Sequence, residues 1–345
     1  MRLTRLYLLA CVVASLMIAC AYYALFRYQL GAPIPASYDL ENWVTWKEYL
    51  AEQPGQNRLL IVGDSSSLFG VDSALMEQKL GRPVVNLSLH GGLPMDWMRL
   101  FVLRTARRGD TVLMPLSWPS FYRNYTLPEE WMVDQIVAWD ARYFDAASVM
   151  QKLRYIAALP PSHLLRNLEA VEQREAILRD NPLRRRLSRD EVVRIMQTDR
   201  STSPGAVYSF RNINDRGDMQ GACGNKSPQH SMGFPKTFRL QKSQISMLAS
   251  LSRQLRHAGV DLIVMPSTML RDGQSESPDY LRHMNAAYGP LRDAGVRTVG
   301  KVEDFYFPPE AFFDTEFHIN CEHTAERTMR MVELLRPELT DGRTR

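Results

Sequence analysis

Apolar runs alternate with amphipathic stretches along most of this chain. "NRLLIVGD" (57–64) is apolar through its centre, and "PVVNLSL" (83–89) and "DTVLMPLSW" (110–118) repeat the pattern. "VDLIVMPST" (260–268) and "VRTVG" (296–300) follow far downstream. Between and after them lie "SALMEQKLG", "PMDWMRLFVLRTARRG", "LQKSQISMLASLSRQLRHAG", "DYLRHMNAAYGPLRDAG" and "CEHTAERTMRMVELLRP", which read as helices. Continuous apolar strands alternating with amphipathic helices predict a parallel sheet covered on both faces. Gly81, Gly109, Gly259 and Gly295 each fall where a helix hands over to a strand. The expected fold is a flavodoxin-like three-layer α/β/α domain over residues 57–340.

Two regions break the rhythm. From about 125 to 235 the chain is first helical and heavily charged ("RNLEAVEQREAILRDNPLRRRLSRDEVVRIMQ"), then rich in Gly, Ser, Asn and Pro. This reads as an insertion rising over one edge of the sheet. Its "LRRRL" run is expected to be a solvated helix face, with a polyanion contact as the alternative. The other region is the N-terminus, residues 1–29. Arg2 and Arg5 precede an uncharged stretch from Leu6 to Phe26, long enough to cross a bilayer. Apolar sequence continues past Cys20, which favours an uncleaved single-pass anchor over a lipoprotein signal acylated at Cys20. The leading arginines place the N-terminus in the cytoplasm and the rest of the chain outside it. "GAPIPASYDLENW" opens a juxtamembrane linker, residues 30–56.

The chain has 345 residues, 45% of them apolar, enough for a full core. Its 42 basic and 38 acidic side chains are too balanced for a nucleic-acid binder. Of four cysteines, Cys11 and Cys20 lie in the apolar N-terminal stretch. Cys223 and Cys321 are far apart and make no CxxC pair, so no zinc site is suggested. An external location permits a Cys223–Cys321 disulfide, and two free thiols stay equally open. Nothing in the composition asks for a metal or other cofactor.

The candidate chemistry begins where the first strand ends, at "LLIVGDSSSLFG" (59–70). Gly63-Asp64-Ser65 closes the strand and leads into a helix. That puts the Ser65 hydroxyl at the carboxyl edge of the sheet, with its own backbone N–H able to face an oxyanion. The alternative is a turn with a capping serine. A serine nucleophile needs a base, and the base an orienting acid. "FFDTEFHINCEHTAERT" (312–328) offers Asp314 and His318, four apart on an irregular turn before the last helix. An Asp at that distance reaches Nδ1 of the imidazole and leaves Nε2 free for the serine proton. A lone loop histidine is ordinarily solvent-facing. The order Ser…Asp…His, with both halves at strand ends, favours the triad.

These blocks resemble the SGNH (GDSL-like) hydrolase superfamily over roughly residues 57–125 and 236–338. "VGDSSS" matches its first block, implying Ser65 as nucleophile, and "DTEFHIN" its last, implying Asp314 as acid and His318 as base. The usual last block is Asp-x-x-His, and here it has one extra residue. That spacing looks like the D…H-(Leu/Ile)-Asn variant of membrane-anchored, extracytoplasmic members, which resemble alginate-acetylation proteins and the partner protein of teichoic-acid D-alanylation. Those often carry a Gly five residues after the His, where this chain has His323. The second block implies an oxyanion donor at Gly91 or Gly92, from "VVNLSLHGGLP". The third, Gly-x-Asn-Asp, is missing. Ser117 stands at about its place and Asn124 somewhat later. Losing one such donor commonly costs about 3 kcal/mol of transition-state stabilisation. Ser117 substitutes, or two backbone N–H groups suffice, or the fold no longer catalyses. His90, Trp118, Tyr122 and Asn124 are candidate substrate contacts, with ordinary loop and core roles as the alternatives.

The resemblance therefore implies serine-dependent acyl transfer outside the cytoplasm, most directly O-acetylation of a polysaccharide through an acyl-serine. It implies a bacterial inner-membrane protein with its catalytic domain in the periplasm. An acyl donor would be relayed by a membrane-bound O-acyltransferase, with no nucleic acid involved. Two alternatives stand beside it: an esterase using the same triad, and a non-catalytic polysaccharide-binding or assembly scaffold on a decayed fold.

Overall fold

Each long apolar run becomes a strand of one parallel sheet. In the computed structural model, which describes residues 2–35, 40–123, 128–139, 141–198, 207–226, 240–273 and 275–340, β1 is Leu59–Ile61, β2 Val84–Asn86, β3 Thr111–Leu116 and β4 Asp261–Pro266. β5 (Met269–Leu270), β6 (Arg297–Thr298) and β7 (Tyr306–Phe307) are two-residue strands. The main sheet runs β2-β1-β3-β4-β6, all parallel, while β5 and β7 pair separately. Leu59 sits between Val84 and Thr111, and Thr111 pairs with Asp261. Strand order reverses between β1 and β3, and in such sheets ligands bind beyond the carboxyl ends at that reversal.

The two faces follow from strand alternation. Leu59, Ile61, Leu113, Ile263 and Met265 pack with Met76 of helix Ser73–Leu80 and with Met331, Val332 and Leu335 of helix Thr324–Thr340. Leu60, Val112 and Val264, equally buried, point to the other face. There helices Met95–Thr105 and Lys242–His257 pack together. Gly81, Gly109, Gly259 and Gly295 all take φ between 64° and 90°, the left-handed geometry expected at helix ends.

The chain divides into two compact units, Met1–Glu41 with Thr126–Arg186, and Asn42–Tyr125 with Leu187–Arg345. The larger holds the sheet. The smaller holds the N-terminal helix Arg2–Tyr28 and helices Glu130–Trp139, Ala141–Ala146, Val149–Ala158, Pro161–Glu172 and Arg174–Asp180. Its Leu3–Tyr28 stretch is long and apolar enough to cross a membrane, with none of its apolar window buried. Of the stretch expected as an insertion, residues 126–186 belong to the smaller unit and those from Leu187 to the larger.

Two further expectations change. Residues 40–52 are a helix, not a linker. Trp43, Val44, Trp46 and Leu50 bury one face, and fully buried Lys47 donates to the carbonyl of Asn86 at 2.7 Å. The Gly/Pro/Ser signal at 31–37 ends before this amphipathic stretch begins. "LRRRL" is no α-helix face: Pro182–Arg184 is a short 3-10 turn. Arg184 donates to the Pro33 carbonyl at 3.3 Å, and Arg186 pairs with Glu41 at 2.6 Å.

Candidate functional site

Ser65 opens the short helix Ser65–Phe69, four residues after the end of β1. Gly63 is required there: a Cβ would lie 2.7 Å from the Pro115 carbonyl oxygen of neighbouring β3. Asp64 caps the helix, its Oδ1 accepting the Ser66 N–H at 2.9 Å and the Ser66 hydroxyl. Its Oδ2 accepts the Ser117 N–H at 3.3 Å, the Ser117 hydroxyl, and the Ser120 hydroxyl at 3.3 Å. This carboxylate, 4% exposed, is held by five donors. Behind it, Ser66 Oγ meets Ser267 Oγ, which also accepts from Arg327 Nη2 at 3.3 Å. Arg327 is 0% exposed and donates through Nη1 to the Ser66 carbonyl. Burial pushes its guanidinium down to about 9, with the Asp64 charge pulling the other way. A buried acid and a buried base, joined through serines, thus fix the backbone that presents Ser65.

Asp314 and His318 meet on a closed turn. Phe312 bridges antiparallel to Ile319, and the Phe313 N–H donates to the His318 carbonyl at 2.8 Å. Asn320 secures the base of the turn, donating to the Glu310 carbonyl at 2.7 Å through its amide and to the Ala311 carbonyl at 2.9 Å through its backbone. Asp314 Oδ1 lies 2.7 Å from His318 Nδ1. The Tyr208 hydroxyl donates to Asp314 Oδ2 and sits 3.3 Å from the same Nδ1. Burial acts to raise the Asp314 carboxyl, but the bonds from His318 and Tyr208 outweigh it and hold it below its ordinary range. Burial and the bond to Asp314 both raise the Tyr208 phenol, so it stays a donor. An ionised Asp314 accepting from Nδ1–H leaves the lone pair on Nε2. Nε2 bonds to no described residue.

Phe69 brings the two halves together. It lies one helical turn after Ser65, and the His318 ring stacks on it with centroids 4.3 Å apart at 19°. His318 is 6% exposed while Ser65 is partly open, and the Ser65 hydroxyl is hydrogen-bonded to no described residue.

The remaining candidates separate. A Cβ on Gly91 would lie 3.8 Å from Ser65 Oγ, so this loop faces the serine. The Gly92 N–H is instead spent on His90 Nδ1 at 2.9 Å. That bond puts the His90 proton on Nε2. Burial first, then the His318 and Arg123 charges, press His90 down to about 4 against the pull of Asp64, so it is neutral at neutral pH. The Ser117 hydroxyl is committed to Asp64 rather than aimed at an oxyanion. The Gly91 and Ser65 N–H groups bond to no described residue. Trp118 and Tyr122 make an edge-on pair at 6.2 Å, and Trp118 lies 6.4 Å from Phe317 beside a narrow cavity that Tyr280 and Glu316 also line. Asn124 lies outside the described residues.

Cys223 and Cys321 form a disulfide, tying residue 223 to the chain three residues past His318. Among the described residues, the one cluster with metal-ligand potential is Cys223, Cys321 and Glu322, and the disulfide leaves it a single carboxylate. Sequence reading missed Tyr208, Phe69, Ser267 and Arg327. Phe69 alone had a signal, its four-residue offset from Ser65. By fold, the larger unit is an α/β domain with a five-stranded parallel sheet. No protein-family profile, curated protein or solved structure matches the chain.

Proposed function

We propose that this is a membrane-anchored, extracytoplasmic acyltransferase of SGNH type, using Ser65, His318 and Asp314 to acylate a saccharide hydroxyl. The observation that carries the reading is the Asp314–His318 contact of 2.7 Å on a ring stacked against the helix that Ser65 opens. Ser65 Oγ attacks the donor's carbonyl carbon as its proton passes to His318 Nε2. The Ser65 and Gly91 N–H groups hold the oxyanion, and neutral His90 lies beside them as a further polar group. His318 then protonates the leaving group, giving an acyl-serine. The acceptor hydroxyl surrenders its proton to Nε2 and attacks the acyl carbon, and the bond to Ser65 Oγ breaks as Nε2 passes that proton to Oγ. Asp314, steadied by Tyr208, holds the Nδ1–H tautomer throughout.

The N-terminal helix is the membrane span in this reading. Arg2 and Arg5 set its cytoplasmic end, and the disulfide fits an oxidising compartment. Trp118 and Tyr122 are the platform for the sugar. If water takes the acceptor's place, the same groups make an esterase. The test is covalent: the full chain in detergent is treated with a fluorophosphonate and its intact mass read, beside Ser65→Ala and His318→Ala. One adduct on the parent and none on either variant supports an activated serine, and acceptor sugars then separate transferase from esterase. A folded parent that takes no adduct replaces this reading with a polysaccharide-binding scaffold.

A further inference from the structure

We propose that helices Val149–Ala158 and Pro161–Glu172 form a second membrane contact, with the turn between them in the interface of the bilayer that the N-terminal helix spans. The proposal rests on reading that helix as a membrane span.

Depth comes first. Helix Pro161–Glu172 and the helices flanking this pair pack alongside the last turns of the N-terminal helix. Asn167 donates to the Gln29 side chain at 2.9 Å, Arg174 to the Gly31 carbonyl at 2.7 Å, and Phe144 meets Phe26 at 5.1 Å. Arg27, the basic residue at the end of the helix, pairs with Asp145 and lies 6.0 Å from the Phe144 ring centre. The turn between the two helices reaches further back. The Tyr22 hydroxyl donates to the Leu159 carbonyl at 2.6 Å. Tyr22 precedes Gln29 by seven residues, about 10 Å of helix rise. The turn at 159–161 is thus about 10 Å closer to the membrane core than Asn167. Interfacial helices sink about 5–10 Å below the headgroups.

The surface is suited to lipid. Val149, Met150 and Leu153 are 75%, 58% and 53% exposed, and Leu165 on the second helix is 64% exposed. Outside the N-terminal helix, the other exposed large apolar side chains among the described residues are Leu103, Tyr122 and Tyr208, all between 36% and 43%. On the first helix, Val149, Leu153, Ala157 and Met150 share one arc of about 100°. Arg154 borders that arc on one side, placed to reach anionic headgroups, and Lys152 borders it on the other, its ammonium donating to the Asp145 carbonyl at 2.8 Å. From Tyr155 to Ser162 the chain has no charged residue. The opposite side is already packed: Tyr155 is fully buried, its hydroxyl 2.9 Å from that of Tyr143. A bare apolar arc with basic edges, held at the depth of the last turns of a membrane span, is where phospholipid belongs.

The full chain is reconstituted in vesicles containing anionic lipid, with the Cys223–Cys321 disulfide intact. One probe keeps Cys11 within the span, in a Cys20→Ser background. Three others carry Leu153→Cys, Ala157→Cys or Asp180→Cys in a Cys11→Ser, Cys20→Ser background. Each bears an environment-sensitive fluorophore, and quenching by shallow acyl-chain nitroxide lipid is compared with quenching by iodide. The expected result is lipid quenching at 153 and 157 roughly threefold above that at 180, with weaker iodide quenching. Labels at 153 and 157 that behave like 180 while Cys11 is lipid-quenched overturn the proposal alone. A Cys11 label open to iodide overturns the span reading and this proposal with it. Labels at 153 and 157 shielded from both quenchers overturn it in favour of a protein covering this face.

Discussion

The Asp64–Arg327 pair is the feature whose removal is most informative, because two accounts of it give different numbers. If Asp64 only caps helix Ser65–Phe69, Asp64→Asn costs about 1 kcal/mol or less, since Asn caps well. The structure predicts more. The carboxylate takes donors on both oxygens, and the Ser66 and Ser117 N–H groups approach from opposite sides. An amide offers only one oxygen, so one buried N–H loses its acceptor, at about 1–3 kcal/mol. The substitution also removes the negative charge facing fully buried Arg327, and an uncompensated buried charge costs about 3–5 kcal/mol. Burial of Ser66 and Ser267 between them keeps the effective dielectric low. Asp64→Asn should therefore destabilise the larger unit by about 4 kcal/mol. Arg327→Met, similar in length and uncharged, should cost about 3 kcal/mol alone and about 2 kcal/mol less than additive with Asp64→Asn. The assay is urea unfolding of the full chain in detergent, with midpoints compared at unchanged slope. A double variant equal to the sum of the singles within about 0.5 kcal/mol refutes the coupling. An Asp64→Asn cost near 1 kcal/mol refutes the buried-pair account.

Three further outcomes follow from the same geometry. His90 titrates at about 4 when folded against an ordinary 6.5, so the unfolded chain binds more protons between those values. Stability should fall by about 3 kcal/mol from this residue as pH drops through that window, and His90→Gln should flatten the slope in acid unfolding curves. Tyr208→Phe removes a bond that keeps the Asp314 carboxyl low, so that carboxyl should rise. Fluorophosphonate labelling of Ser65 should slow roughly tenfold, with its acid limb shifted toward higher pH, and an unchanged profile would leave Tyr208 a packing residue. Cys223→Ser with Cys321→Ser opens a link across 98 residues. The expected cost is about 4 kcal/mol by chain entropy, read as a lower melting temperature, together with slower labelling as the His318 turn loosens.

The strands were readable because burial on both faces leaves an unbroken apolar run, as in "TVLMPL" of β3, buried at all six positions. Helix Leu40–Glu52 was not, because a Gly/Pro/Ser cluster just ahead of it reads as linker. Its burial depends on Lys47 and Trp46 reaching the carbonyls of Asn86 and Asn214, contacts that local sequence cannot announce. The candidate site was legible only in part. Ser65 opens a helix just past the end of β1, where chain direction alone limits where its side chain can lie, whereas Asp314 and His318, expected at a strand end, stand on an irregular turn well past β7. The supporting groups had no such marker. Tyr208 sits in a Gly- and Asn-rich stretch and reaches Asp314 across 106 positions.

Ser117 shows how the same residue type supports two roles that only tertiary structure separates. As a polar residue closing β3 it fits an oxyanion donor and a carboxylate ligand equally well. Its hydroxyl and N–H both go to Asp64, so under the proposed acyl transfer the oxyanion is left to backbone donors. A chemistry that relies on backbone N–H groups tolerates loss of the Asn block, provided the loop at Gly91 and the cap at Asp64 are held rigidly. Five donors on Asp64 and a buried arginine behind it hold the cap. The bond from the Gly92 N–H to His90 Nδ1 holds the loop. Under the proposed mechanism, the rigidity sought in a missing side-chain donor is supplied one layer back, by the groups that hold Asp64 and the Gly91 loop.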